Sequence, residues 1–445
     1  MYQTDFAPEE LAGRRRRVLE AIGSNAVALL QGAEKEGSHD LFRQTNDVYY
    51  LCGVEVPHAY LLLDGRNQSC SLCLPHQSAL RREHEGEILS AENAEIVCKL
   101  TGLDATYGIE ELSRLLEGVE ELYTPMHIAE GAMMSGDTLQ RSQQEVFSDP
   151  WDGRPDRMRW FVALLRKRWP TTEIRDLSPI TDEMRFIKSP AEIELLRKAG
   201  KLSAIGVLAA MRATRPDVWE YQLDAVMRYV YLVNGARDAG YRAIIASGDN
   251  IRYGHYKANN AQLAGGDLVL VDSAPDYHYY TSDVGRMWPI NGRYTDAQRE
   301  LYGFVVEYHQ AYLDLVRPGV TAEQVIAEAA ERMRGVVERT AFSKQAYEKG
   351  ARATLEFPYH MSHPVGMAVH DVSHYRGKVL QPGTVLSLDP SLWVPEEHLY
   401  IRVEDTVLVT GNGIENLTAD APLELHDVEQ TMKQEGLLQR YAALW

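Results

Sequence analysis

The chain has 445 residues, of which 45% are hydrophobic and 25% are charged, and its formal net charge is −18. This length exceeds the roughly 300 residues that one hydrophobic core supports, so we expect two domains. The acidic balance excludes a nucleic-acid partner, because phosphate contacts require a basic face. No apolar run reaches the about 18 residues that span a bilayer, and the N-terminal arginines are not followed by the apolar core of a signal peptide. We therefore expect a cytoplasmic protein with no membrane partner.

The four cysteines all lie in the first quarter of the chain and do not form a disulfide framework, which agrees with a reducing compartment. Cys70 and Cys73 make a C-x-x-C pair, but no second pair follows at the spacing of a zinc finger. The alternation of SCSLCLP favours a half-buried strand over a metal or redox site.

Helical and strand-like segments alternate in the first part of the chain, which is typical of an α/β domain, and we assign this domain to residues 1–175. Residues 9–22 predict a helix, and the four consecutive arginines at 14–17 are expected on a solvated turn of it. Strand-like runs follow at 26–32 and 59–65, with turns and further helices between them.

A break near residues 168–190 separates this domain from the second, which we assign to residues 176–445. Ser189 is followed by Pro190 and, three residues after the cap, by Glu192, a pattern that predicts the start of a helix. Periodicity predicts one apolar face on that helix, made up of Ile193, Leu196, Ala199, Leu202 and Ile205.

The remainder of the second domain predicts an α+β architecture with a mostly antiparallel sheet. Helices are expected at 217–234, 295–316 and 321–339, and the tail from residue 423 predicts a closing helix. Strand signals occur at RAIIASG, GDLVLVDSAP, RMWPI, HPVGMAVHD, GTVLSLDPSLWV and LYIRVEDTVLVTG.

Two aspartates interrupt apolar, strand-like segments of this domain. Asp272 follows the apolar residues 268–271, and Asp283 comes eleven residues later, after a turn-rich segment. Two strands joined by such a turn run antiparallel about 5 Å apart, so both carboxylates can face one point. Because a buried carboxylate is costly unless it is paired or bound to a cation, the two aspartates indicate a divalent metal.

Three more polar residues have strand-like or turn-like surroundings: His363 in SHPVGMAVHD, Asp389 after TVLSL, and Glu404 within YIRVEDTVLV. Each has an ordinary structural interpretation. His363 could be a hydrogen-bonded histidine, Asp389 a turn residue and Glu404 the ion-pair partner of Arg402. Together with the two aspartates they supply four carboxylates and one imidazole. That is enough for two divalent cations sharing a bridging hydroxide.

With these residues in place, the second domain resembles the creatinase/aminopeptidase catalytic domain of metallopeptidase family M24, the pita-bread fold of methionine aminopeptidase, prolidase and aminopeptidase P. The segments that carry the resemblance are TSDVGRMWPINGRYTDAQRE, SHPVGMAVHD and IRVEDTVLVTGNGIENLT. In the first half, RQTNDVYYLCG and MRFIKSPAEIELLRKAG are similar to the aminopeptidase P subgroup. The resemblance implies an α/β N-terminal domain followed by an α+β pita-bread catalytic domain.

The resemblance also implies a dinuclear metal site. Its ligands, in chain order, would be Asp272, Asp283, His363, Asp389 and Glu404. Hard oxygen ligands with one imidazole favour Mn²⁺, and Co²⁺, Zn²⁺ and Fe²⁺ stay open. The implied enzyme is an Xaa-Pro aminopeptidase, in which a metal-bridged hydroxide cleaves the bond between an N-terminal residue and proline.

Roles beyond metal binding also follow from the resemblance. His255 matches a histidine near the substrate carbonyl, and His370 matches one that stabilises the tetrahedral intermediate. Arg402 matches an arginine near the substrate pocket. Glu404 or Asp389 would accept a proton from the nucleophile, so the implied catalytic set is His255, His370 and Glu404.

The chain departs from the family pattern in three ways. The fourth ligand is usually glutamate, and Asp389 is shorter by one methylene. The family's EPGxY is replaced by DPSLW, so Trp393, which we expect at the substrate, lacks the phenol of the usual tyrosine. The family's histidine four residues before the ligand histidine is replaced by Tyr359, and His360 follows it with a role that the sequence leaves open.

Two alternatives stay open at this stage. One is a prolidase restricted to Xaa-Pro dipeptides, and the other is a creatinase-like C–N hydrolase or a non-catalytic relative. An acid or histidine at all five ligand positions argues against loss of the metal. The expected partners are a peptide with proline at its second position and, as the family implies, further copies of the chain in a dimer or tetramer.

Overall fold

The computed structural model describes residues 2–35 and 41–441. By its internal contacts the chain divides into two compact units, Met1–Arg185 and Phe186–Trp445. The boundary expected at residue 175 lies within the last strand of the first unit. Of the helices in the described residues, none is both long and apolar enough to cross a bilayer.

The first unit contains short helices and six strands. The helices are α1 (Pro8–Ile22), α2 (Asn46–Cys52), α3 (Ala79–Glu85), α4 (Ala94–Thr101), α5 (Leu112–Leu115), α6 (Gly136–Ser148), α7 (Arg157–Arg168) and α8 (Ser178–Phe186). The strands are β1 (Ala26–Gln31), β2 (Tyr60–Asp64), β3 (Ser69–Leu74), β4 (Ala105–Gly108), β5 (Glu121–Thr124) and β6 (Glu173–Asp176).

These strands form one mixed sheet in the order β4-β3-β2-β1-β5-β6. The pairs β1/β2 and β2/β3 are antiparallel, whereas β3/β4, β1/β5 and β5/β6 are parallel. The α/β prediction for this part of the chain is therefore confirmed. Cys70 and Cys73 lie on β3 as expected, but both are buried rather than on a half-exposed strand, and both are free thiols.

The solvated position expected for the arginine run is wrong for two of its members. Arg14 and Arg15 are buried, and Arg14 donates to the carbonyl of Tyr50 while Arg15 donates to those of Leu51 and Thr101. Carbonyl groups at the end of α2 and α4 thus receive charged donors, which stabilises both helix termini. The partners are distant in sequence, so no local pattern marks these arginines as buried.

The second unit contains longer helices and mostly short strands. The helices are α9 (Pro190–Ala213), α10 (Glu220–Val233), α11 (Asp296–Leu315), α12 (Ala322–Arg339), α13 (Gln345–Glu356), α14 (Leu425–Thr431) and α15 (Leu437–Arg440). The strands are β7 (Asp238–Ala239), β8 (Ile244–Ser247), β9 (Leu268–Asp272), β10 (Pro275–Asp276), β11 (Gly285–Pro289), β12 (Met361–Pro364), β13 (Val385–Leu388), β14 (Ser391–Val394), β15 (Leu399–Arg402), β16 (Asp405–Val409) and β17 (Ile414–Asn416).

Antiparallel pairing dominates this unit, as predicted. One sheet has the order β11-β9-β8 and another the order β12-β13-β16-β17, while β10/β7 and β14/β15 form two-stranded ribbons. All of these pairings are antiparallel. A large apolar core joins the sheets to the helices, and the indole of Trp288 is fully buried in it.

The predicted start of α9 is confirmed, but the predicted apolar face is only partly correct. Ser189 Oγ accepts from the backbone N–H of Glu192, and the Glu192 carboxylate accepts from the backbone N–H of Ser189. This reciprocal capping box satisfies two backbone donors that a helix start leaves unpaired. Leu196, Ala199 and Leu202 are buried as expected, whereas Ile205 is 38% exposed.

Three expectations about local structure are wrong. Asp283 lies two residues before β11 rather than within a strand, and the strand expected over HPVGMAVHD ends at Pro364. His370 therefore lies in a loop. The closing helix is broken into the short helices α14 and α15, and its predicted final residues, 442–445, lie outside the described residues.

Candidate metal centre

Asp272 and Asp283 both lie within hydrogen-bonding distance of one tyrosine hydroxyl. Asp272 is the last residue of β9. In the antiparallel pair β9/β11 it lies opposite Gly285, which follows Asp283 by two residues. The hydroxyl oxygen of Tyr241 lies 2.6 Å from Asp272 Oδ1 and 2.7 Å from Asp283 Oδ1. Because a phenol has one proton, it donates to only one of these oxygens at a time. The two carboxylates thus face one point, as the sequence predicts.

His363 and Glu404 join Asp283 in a compact group. One ligand atom from each of the three side chains lies within 4.8 Å of the other two. His363 Nε2 is 3.3 Å from Asp283 Oδ2, and His363 Nδ1 is 3.1 Å from the carbonyl oxygen of Pro364. A neutral imidazole that donates through Nδ1 keeps its lone pair on Nε2, which is the state required of a metal ligand.

Glu404 is held in place from both sides. Its backbone exchanges two hydrogen bonds with Gly285, of 2.9 and 3.1 Å, and Ser387 Oγ donates to Glu404 Oε1 at 2.6 Å. The other carboxylate oxygen, Oε2, is buried without a hydrogen-bond partner. A Cβ added to Gly285 would lie 3.0 Å from the Glu404 Cβ and 3.1 Å from that oxygen, so the glycine leaves the space in which the carboxylate sits.

Arg402 lies between the remaining acids. Its guanidinium donates to Asp272, its Nη1 is 3.6 Å from Glu404 Oε2, and its Nε is 3.8 Å from Asp389 Oδ1. The ion pair that the sequence allowed between Arg402 and Glu404 is thus present, but it is one of three. Asp272 and Asp389 face this cation and do not belong to the compact group around Asp283.

Asp389 follows β13 and is positioned through His360. The backbone N–H of Asp389 donates to the carbonyl of His360 at 2.7 Å. The His360 ring accepts from the backbone N–H of Ser391 through Nδ1 at 3.3 Å and contacts the Thr354 carbonyl through Nε2 at 2.8 Å. Burial lowers the pKa of His360 to about 4, so the ring is neutral and its role is to fix the backbone around Asp389.

The other two predicted histidines lie near each other, and one of them, His370, lies beside His363. The ring of His370 is centred 4.2 Å from that of His363 and 6.2 Å from that of His255. His255 is in an exposed loop, but protein atoms crowd its ring, and this crowding together with the charge of Arg402 lowers its pKa. A neutral His255 can donate or accept a hydrogen bond next to His370.

Trp393 lies at the rim of this region rather than among the acids. It is 37% exposed, and its ring is centred 5.0 Å from Phe357 and 5.1 Å from Tyr400. Tyr359 is also exposed, and its position four residues before His363 places no polar group at the acids.

The electrostatics of the acids are those of a site that needs cations. Burial, then the charge of Asp272, raises the pKa of Asp283 to about 8. Burial and neighbouring carboxylates also raise the pKa of Asp389 and of Glu404 well above their usual range. The single positive charge of the Arg402 guanidinium does not balance four acids, and Glu404 Oε2 is left without a hydrogen-bond partner. Carboxylate oxygens with one imidazole are the donor set of a divalent-metal site, so the residues present fit such a group.

Sequence reasoning missed the residues that support the ligands. Tyr241 and Ser387 contact the carboxylates, and Arg286 donates to the Glu404 carbonyl at 2.6 Å and to Asp405 at 2.7 Å. Ser387 could have been found as a polar residue inside the apolar run TVLSL. Tyr241 could not, because it is far from either aspartate in sequence.

Comparison with known proteins agrees with this geometry. Residues 194–411 match the family model of metallopeptidase family M24, and residues 11–124 match that of the aminopeptidase P N-terminal domain. The chain belongs to metallopeptidase family M24, so it is a peptidase of the metal-dependent class.

Within this family, several of the relatives found by comparison are named Xaa-Pro aminopeptidase. The chain is 30% identical to the Xaa-Pro aminopeptidase of Escherichia coli, over 96% of this chain and 98% of the relative. It is 28% identical to the mitochondrial intermediate cleaving peptidase 55 of Arabidopsis thaliana, over 95% of this chain and 82% of the relative. A solved structure of zinc-substituted E. coli aminopeptidase P with product matches at a TM-score of 0.77 and 28% identity, covering 97% of this chain and 99% of that one.

These findings confirm the predicted fold, an α/β N-terminal domain followed by a pita-bread catalytic domain. They also favour the aminopeptidase interpretation. Neither the prolidase nor the creatinase-like or non-catalytic alternative gains support from them.

Proposed function

We propose that the protein is a metal-dependent Xaa-Pro aminopeptidase, which hydrolyses the bond between the first residue of a peptide and a proline at its second position. The observation that carries the proposal is the convergence of Asp283, His363 and Glu404, with Asp272 and Asp389 on either side of Arg402. The full-length similarity to a protein of that name supports the same activity.

The metal ligands in this proposal are Asp272, Asp283, His363, Asp389 and Glu404. Two divalent cations held by this set would supply a Lewis acid and activate water as a nucleophile near neutral pH. Four carboxylates with one imidazole favour Mn²⁺ over softer ions. The buried Oε2 of Glu404, which has no hydrogen-bond partner, and the raised pKa of Asp283 are the features that support cation binding here.

The remaining residues act on protons and on the substrate. Glu404 or Asp389 accepts the proton that the attacking water releases. His370, beside the ligand His363, donates a hydrogen bond to the oxyanion that forms on the scissile carbonyl. His255 hydrogen-bonds the substrate from its exposed loop, and Arg402, whose guanidinium faces the acids, lies near the substrate pocket.

Proline requires a pocket of its own. The Xaa-Pro bond is a tertiary amide without an N–H, so a peptidase cannot grip that group and must instead fit the ring. Trp393, with its partly exposed indole, offers an apolar surface at the rim for this purpose.

Compartment and assembly belong to the same proposal. We assign the protein to the cytoplasm because all four cysteines are free thiols and two of them, Cys52 and Cys73, are completely buried. The family implies a dimer or tetramer. Light scattering on the purified protein would measure its mass, and a mass of one chain would contradict this assignment.

A direct assay tests the activity. Purified protein loaded with Mn²⁺ should release alanine from Ala-Pro-Ala and leave Ala-Ala-Ala intact, and treatment with a chelator should abolish release. Cleavage of Ala-Pro together with inertness toward Ala-Pro-Ala would contradict the aminopeptidase assignment in favour of a dipeptidase. Inertness toward both would contradict peptidase activity on Xaa-Pro bonds altogether.

A further inference from the structure

The segment around Asp389 departs from the family pattern at three positions, and the structure connects them. Where the family has EPGxY, this chain has aspartate for glutamate, Ser391 for glycine and Trp393 for tyrosine. In the ribbon β14/β15, Ser391 pairs with Arg402 and Trp393 pairs with Tyr400. Residues directly opposite each other, and residues two apart on one strand, share a face of the ribbon. All four side chains therefore lie on the same face.

A phenol is present on this face after all, on the opposite strand. Tyr400 is buried, its ring packs 5.1 Å from that of Trp393, and its hydroxyl oxygen lies 3.1 Å from Ser391 Oγ. Ser391 Oγ in turn lies 3.2 Å from Asp389 Oδ1 and also 3.2 Å from the Asp389 carbonyl oxygen.

Counting protons fixes the direction of this chain of hydrogen bonds. In the ionised form that binds a metal, the Asp389 carboxylate only accepts, as does its carbonyl, so Ser391 donates its single hydroxyl proton to Asp389. Tyr400 is therefore the donor to Ser391. A hydroxyl that receives a hydrogen bond becomes a better donor, so Tyr400 strengthens the contact that holds Asp389.

We propose that Ser391 and Tyr400 are positioning residues that orient the short carboxylate of Asp389 toward the metal centre, Tyr400 taking over the phenol function that Trp393 lacks. The inference rests on the proposed metal site and deepens it. The side chain of a glutamate is one methylene longer than that of Asp389. The hydrogen bond from Ser391, which Tyr400 strengthens, compensates for the shorter side chain by fixing its orientation. The backbone of the same turn is fixed independently by His360.

The test is Mn²⁺ binding to metal-stripped full-length protein, measured by calorimetry and by electron paramagnetic resonance, alongside activity. Ser391→Ala and Tyr400→Phe should each weaken the binding of one of the two ions by about tenfold, the lower end of the effect of such supporting residues. Because both substitutions break one chain of hydrogen bonds, the double variant should be no weaker than the weaker single variant.

Tyr347→Phe is the matched control. Tyr347 is also buried in this unit and its hydroxyl donates to a carboxylate, that of Glu397, which is not a proposed ligand. Its loss should leave Mn²⁺ binding unchanged. The double variant Trp393→Tyr/Tyr400→Phe places a phenol on β14 instead of β15. It should bind Mn²⁺ more tightly than Tyr400→Phe alone.

The outcomes separate this inference from the proposed function. The inference would be overturned if Tyr400→Phe bound Mn²⁺ as tightly as the wild type. It would also be overturned if the effects of Ser391→Ala and Tyr400→Phe on Mn²⁺ affinity multiplied in the double variant. Failure of the Trp393→Tyr exchange to restore binding would overturn the transfer of the phenol function. A wild type that binds two Mn²⁺ ions but cleaves no Xaa-Pro peptide would refute the function while the titrations still decide the inference. A wild type that binds no Mn²⁺ would refute both.

Discussion

At the scale of single residues, the site is governed by charge that is only partly compensated. Asp272, Asp389 and Glu404 face one guanidinium, Asp283 lies beside Glu404, and burial raises the pKa of Asp283, Asp389 and Glu404. Such a group is costly to fold, because each buried carboxylate loses its hydration. Bound cations would offset the free energy lost in burying the carboxylates, so the stability of the fold and metal binding should be coupled.

His363 tests the ligand set by a single substitution. His363→Ala removes the one nitrogen ligand of the group, so we expect loss of activity by at least about 100-fold and weaker Mn²⁺ binding, while the far-ultraviolet circular dichroism stays unchanged. The exposed His374 offers the control His374→Ala, which should behave as wild type. Full activity in His363→Ala would remove the ligand role.

Asp389 tests whether the surrounding backbone has adapted to the short side chain. Because Ser391 and His360 fix the aspartate where it is, Asp389→Glu should push a longer carboxylate into the space shared with Arg402. We expect Mn²⁺ affinity to fall about tenfold, measured by calorimetry. A gain in affinity would show that the aspartate is a handicap that the structure has not offset.

At the scale of elements, antiparallel pairing brings the ligands together. Asp272 and Glu404 are distant in sequence, but Gly285 pairs with both residues, with Asp272 in the pair β9/β11 and with Glu404 in an isolated bridge. A glycine is required there because Glu404 and Arg402 both approach it closely.

Gly285→Ala should therefore disturb two elements at once. Its Cβ would meet Glu404 at 3.0 Å and Arg402 Nε at 3.3 Å, both too close for ordinary packing. We expect the free energy of unfolding to fall by about 1–3 kcal/mol, as for overpacked cores, with weaker Mn²⁺ binding. The control is Gly303→Ala on α11, where a Cβ meets nothing within 4 Å and the helix should gain up to about 1 kcal/mol. Equal denaturation midpoints for the two variants would contradict the close approach of Glu404 and Arg402 to Gly285.

The elements also show what a sequence can and cannot predict. The start of α9 was predictable because Ser189 and Glu192 cap it locally. Asp272 was predictable because it ends the apolar strand β9; Asp283 was predictable as its neighbour across a turn, although it lies before β11 rather than in a strand. The loop position of His370 and the burial of Arg14 were not, because they depend on partners that are distant in sequence. Tyr400 was missed for the same reason, since only strand register places it opposite Trp393.

At the scale of the whole molecule, each unit contains a buried charged network of its own. In the first unit, Arg185 lies 2.9 Å from Asp47 Oδ1 and 3.0 Å from Glu130 Oε2, and His127 Nε2 lies 3.1 Å from Asp47 Oδ2. Asp47 belongs to the RQTND segment that carried the family resemblance, and it is buried. The segment therefore supports the core of this unit.

This network predicts a pH dependence of stability. Burial opposes the charge on His127, but its hydrogen bond to Asp47, together with the negative charges of Asp47, Asp182 and Glu130, outweighs burial and raises the pKa to about 9 from the usual value of 6.5. The folded state thus binds a proton that the unfolded state releases between these values. The contribution, about 3 kcal/mol, should be complete below pH 6.5 and lost as the pH rises through 9.

Denaturation of wild type and His127→Gln across this range measures the effect. The difference in unfolding free energy should be largest at low pH and vanish above pH 9. Asp182, 4.0 Å from His127, also titrates here because burial raises its pKa to about 7, so both proteins should be compared again in an Asp182→Asn background. A difference that grows with pH would contradict the assignment.

The central claim for the whole molecule is that five side chains from distant parts of the second unit hold two divalent cations. Anomalous scattering at the manganese edge, from crystals grown with Mn²⁺, tests it most directly. We predict two manganese peaks surrounded by Asp272, Asp283, His363, Asp389 and Glu404, with the guanidinium of Arg402 displaced from among the carboxylates. Peaks elsewhere, or none among these five side chains, would contradict the account.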